Sequence, residues 1–72
     1  MDSQRLKGVR VMRGKVQADC AKAVGLCLTH YSLKENGKYP FNANEIVMLA
    51  NFLHMTEDEA NAIFFDGTLT KT

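Results

Sequence analysis

Helix-stopping residues recur along this chain at short intervals: Gly14, Gly25, the Asn36-Gly37 pair and Pro40. Glycine takes the left-handed conformation that ends a helix, and proline cannot continue one. Between these stops the apolar residues recur at helical spacing, with no strand-like alternation. The pattern predicts an all-α chain of short helices. It leaves no segment near the roughly 18–20 apolar residues needed to cross a bilayer.

Five helices are expected. Ser3 is placed to cap a first helix reaching Arg13, with Leu6, Val9 and Met12 on one face. The second covers Gln17 to Val24 and buries Cys20, Ala21 and Val24. The third runs from Cys27 or Leu28 to Glu35 with Tyr31 as its inward anchor. Residues 38–41 form a loop. Asn42 with Glu45 makes a capping box opening a fourth helix, whose stripe is Ile46, Leu49, Ala50 and Leu53. Thr56 with Glu59 makes a second box, and Met55 is placed to pack on Ala60 as a hydrophobic staple. The fifth helix turns Ala60, Ile63 and Phe64 inward. Residues 1–65 are thus read as one domain and 66–72 as a short polar tail. At 72 residues the core is modest, so helix packing must be efficient.

Charge divides unevenly along the chain. Residues 1–38 hold eight Lys or Arg against three acids, a net +5; residues 39–72 hold one against five, a net −4. A basic first half suits a polyanion. The opening Asp2-Ser3-Gln4-Arg5 lacks the order of a signal peptide, and two cysteines without Cys-x-x-Cys spacing argue against a disulfide framework. A cytoplasmic location is therefore expected. Cys27 and His30 lie three apart, but a zinc site needs about four ligands, and Cys20 and His54 do not obviously converge with them. Ser32, His30 and Asp19 have nothing to orient them as a triad, and a domain this small offers little pocket. No enzyme activity, metal or other cofactor is expected.

The segment from Gln17 to Lys38 carries the strongest signal. Ala21 is small enough for two helices to cross closely, Gly25 supplies a positive φ to the turn, and Tyr31 reaches back into the core. With Gln17-x-x-x-Ala21-x-x-x-Gly25, Tyr31-Ser32-x-x-Glu35-Asn36-Gly37-Lys38 and the two capped helices that follow, residues 4–65 resemble the Cro and lysogenic-repressor family of phage helix-turn-helix domains. The resemblance implies a compact five-helix bundle whose third helix enters the DNA major groove. It implies phosphate contacts from Lys15 and Gln17, and from the turn Asn36, Gly37 and Lys38. It also implies a structural ion pair between Arg10 and Glu35. Phosphate contacts give affinity and register, not sequence choice.

The third helix departs from the family pattern. The family's base-reading positions fall here on Cys27, Leu28, Thr29, His30 and Leu33. Leucine touches a thymine methyl but cannot make the bidentate bonds worth roughly 1–3 kcal/mol of base discrimination. Val16 and Cys27 replace the usual caps of the second and third helices, a loss of about 0.5–2 kcal/mol each. Either DNA is read by shape with weak specificity, or this face binds protein, or one leucine is buried. The resemblance is nearest to the modulators of repression, which bind a lysogenic repressor and keep it off its operator. The expected partners are therefore a phage repressor's DNA-binding domain and, weakly, double-stranded DNA, with no membrane. A Cro-like repressor acting as a homodimer is the alternative.

Overall fold

The computed structural model describes residues 1–65; the 66–72 tail lies outside the described residues. Among the described residues there are five helices and no strand: α1 (Ser3–Met12), α2 (Gln17–Ala23), α3 (Leu28–Glu35), α4 (Ala43–Phe52) and α5 (Glu57–Phe64). No described helix is long and apolar enough to cross a membrane.

The helix stops act in one repeated way. At the ends of α1, α2 and α3, Gly14, Gly25 and Gly37 take φ between 73° and 82°. In each case the glycine amide and the next amide turn back onto the helix's last carbonyls. Gly25 N–H donates to Lys22 O and Leu26 N–H to Ala21 O; Gly37 N–H donates to Lys34 O and Lys38 N–H to Leu33 O. This closure satisfies carbonyls that a helix end otherwise strands. The fourth helix closes identically, with His54 N–H on Asn51 O and Met55 N–H on Ala50 O, but the left-handed residue is His54 at φ 55°. His54 thus holds the left-handed position that glycine takes at the other three ends, at the cost of backbone strain.

Helix starts follow the expected chemistry with one shift. Asp2, not Ser3, caps α1: its Oδ1 accepts from Arg5 N–H at 3.0 Å. Both predicted boxes form. Asn42 Oδ1 accepts from Glu45 N–H at 2.8 Å while Glu45 accepts from Asn42 N–H at 3.0 Å; Thr56 and Glu59 exchange the same pair of bonds. At α3 the Cys27 sulfur accepts from His30 N–H at 3.4 Å, so this helix keeps a weak cap where the sequence reading expected none. Valine has no acceptor, and at α2 only the return bond forms, Val16 N–H to Asp19 Oδ2 at 3.0 Å.

The core gathers one to three residues from every helix and its C-cap: Leu6 and Val9, Cys20, Ala21 and Val24, Tyr31, Leu49 and Leu53, Ile63 and Phe64. Ile46, Met55, Ala60 and Phe65 pack partly buried around it. Met12 is not on the inner face as its spacing suggested; it is 74% exposed, and Arg10 takes the buried position instead. Phe41, read as loop, is buried. Its ring lies 6.0 Å from Tyr31 and 5.7 Å edge-on from Phe64, joining α3 to α5 from the segment before α4.

Candidate recognition surface

The ion pair expected from the resemblance is present and anchors α3. Arg10 Nε donates to Glu35 Oε2 at 3.0 Å and Oε1 at 3.3 Å, with Arg10 7% and Glu35 1% exposed. Arg10 Nη1 donates to Lys15 O at 2.8 Å, and Gln17 Nε2 donates to Glu35 Oε1 at 3.2 Å. This cluster ties α1, the 13–16 connection, the start of α2 and the end of α3 together. A buried charge pair of this kind is retained only when its remaining donors and acceptors are met. The Tyr31 hydroxyl lies beside Glu35 and Cys20 with no hydrogen bond of ordinary geometry. Burial, then the adjacent carboxylate, raises its ionisation far above the usual phenol range, so it stays protonated.

A second pair fixes the other side of α3. Lys34 Nζ donates to Glu45 Oε1 at 2.6 Å, linking the helix to the capping box of α4. Partial burial pushes the Glu45 carboxyl up, but the Lys34 ammonium and the Asn42 amide outweigh it and hold the carboxyl below the usual carboxylate range. Sequence reasoning missed this pair, because Lys34 and Glu45 belong to different helices whose crossing no local pattern reveals. It likewise missed Arg13, whose guanidinium donates to Leu53 O at 2.9 Å and lies 3.6 Å from Glu59. That side chain closes the carbonyl end of α4 from the end of α1.

With α3 held from both sides, its remaining face is defined. Cys27, Leu28, Thr29 and His30 are exposed, Leu28 at 51%; Leu33 is half-buried. The structure therefore brings four of the five predicted recognition positions onto the open surface of the first turn, and leaves Leu33 at its edge. Val16, at the start of α2, is also exposed. The outward surface of the α3 first turn thus offers hydrocarbon, a thiol, one hydroxyl and one imidazole.

The predicted phosphate positions divide into two places. Lys15 and Gln17 sit at the α2 start, where no side chain caps the helix. Lys15 Nζ lies 5.2 Å from the centre of the Phe52 ring, and Gln17 already donates to Glu35. Asn36, Gly37 and Lys38 are exposed at the end of α3. Their amides donate to Ser32 O, Lys34 O and Leu33 O, so they are spent on closing the helix. The Lys38 side chain is the cation left there to meet an anion. Among the described residues no three His, Cys, Asp or Glu side chains gather as a metal site.

The chain matched no protein-family model, no curated protein and no solved structure with which it was compared.

Proposed function

We propose that this chain is a phage genetic-switch regulator that binds the cognate lysogenic repressor and blocks its operator binding, with weak DNA binding of its own. On this reading α2, the Gly25 turn and α3 form a helix-turn-helix, and its second helix has exchanged base-reading groups for apolar ones. The single observation that carries the reading is the α3 first turn: Leu28 half-exposed among Cys27, Thr29 and His30, with Leu33 at its margin. Such a patch gains from burial against protein and little from a groove lined with hydrogen-bonding base edges. An apolar helix face docking over the repressor's DNA-binding surface excludes the operator by occlusion. The place of action on this reading is the bacterial cytoplasm, and the role is regulatory rather than catalytic.

The test is a titration of operator-bound repressor with the purified chain. Displacement of repressor from DNA is expected, together with co-elution of the two proteins. Leu28→Asp, an exposed substitution, should abolish both and leave the helical circular-dichroism signal intact. No complex at tens of micromolar would reject the reading.

A Cro-like operator-binding repressor is the second reading. The uncapped α2 start beside Lys15, with exposed Lys38 at the end of α3, favours it. It requires operator affinity to fall with salt at a log–log slope near −0.9 per phosphate contacted, and to exceed affinity for random DNA by roughly a thousandfold. Equal affinity for the two DNAs removes it.

A further inference from the structure

We draw no further inference here: the strongest candidate, the open groove of about 560 Å³ between α2 and α4 lined by Ala23, Met48 and Phe52 with Asp19, Lys22 and Asn51, is an unpartnered apolar face, and nothing in the structure shows what covers it.

Discussion

Glu35→Gln is the sharpest test of how α3 is held. The carboxylate is 1% exposed and takes donors from Arg10 at 3.0 and 3.3 Å and from Gln17 at 3.2 Å. The substitution keeps one acceptor oxygen but removes the charge. It also turns an amide NH2 toward a buried guanidinium whose other partner is Lys15 O. Stranding one member of a buried pair costs about 3–5 kcal/mol. At about 0.05–0.15 kcal/mol per residue, a chain of 72 residues has roughly 4–11 kcal/mol of stability. The variant should therefore lose about a quarter of its stability or more, and its melting temperature should fall by at least about 12 °C. Urea denaturation followed by circular dichroism reads the loss, and a double-mutant cycle with Arg10→Met apportions it. Arg10→Met with Glu35→Leu removes both charges and should recover most of what either single change loses, because a well-packed apolar pair is no worse than a buried ion pair. A loss under about 1 kcal/mol for Glu35→Gln, or additive single losses, would refute this account of the cluster.

Three further outcomes follow from local geometry. The Glu45 carboxyl is held below its ordinary range in the folded state, so the unfolded chain binds the extra proton as pH falls. The stability it contributes is complete above about pH 4.3 and is lost as pH drops through the lower folded value; Glu45→Gln, which retains an acceptor for the Asn42 amide, should be less stable than the parent at pH 6 and approach it at pH 2 in urea titrations. His54→Gly relieves a non-glycine residue at φ 55° and should raise stability by about 0.5–1 kcal/mol, read as a higher thermal midpoint. Phe41→Ala deletes the ring between Tyr31 and Phe64 and should cost about 3–5 kcal/mol, the size of a core deletion rather than a loop change.

Much of the candidate surface was legible because its residues lie within one helix. The exposure of Thr29 and His30 follows once Tyr31 is the inward anchor, since residues one and two positions away turn from it; Cys27 and Leu28, four and three before it, share its side and are exposed only because the first turn runs past its neighbours. Leu33 was harder. It lies two positions beyond the anchor, on the side away from the buried Tyr31 and Glu35, yet it is half-buried, which only the placement of neighbouring segments decides. The capping boxes were legible because each is written in four consecutive residues. Met12 was misplaced because the stripe begun by Leu6 continues at Arg10 as well as through Val9 to Met12. The Glu35 carboxylate on another helix selected Arg10.

What the sequence determined by itself was governed by interactions within about four residues: five helices, the starts of the last two at amide and hydroxyl caps, and the stops of the first three at left-handed glycines. Backbone hydrogen bonding and torsional preference act over that range, so a local pattern suffices. The tertiary structure alone decided which partners meet across helices: Lys34 with Glu45, Arg13 with the end of α4, and Phe41 between two rings. Those contacts depend on crossing angles set by the packing of the whole core, a property of all five helices together that no segment encodes separately.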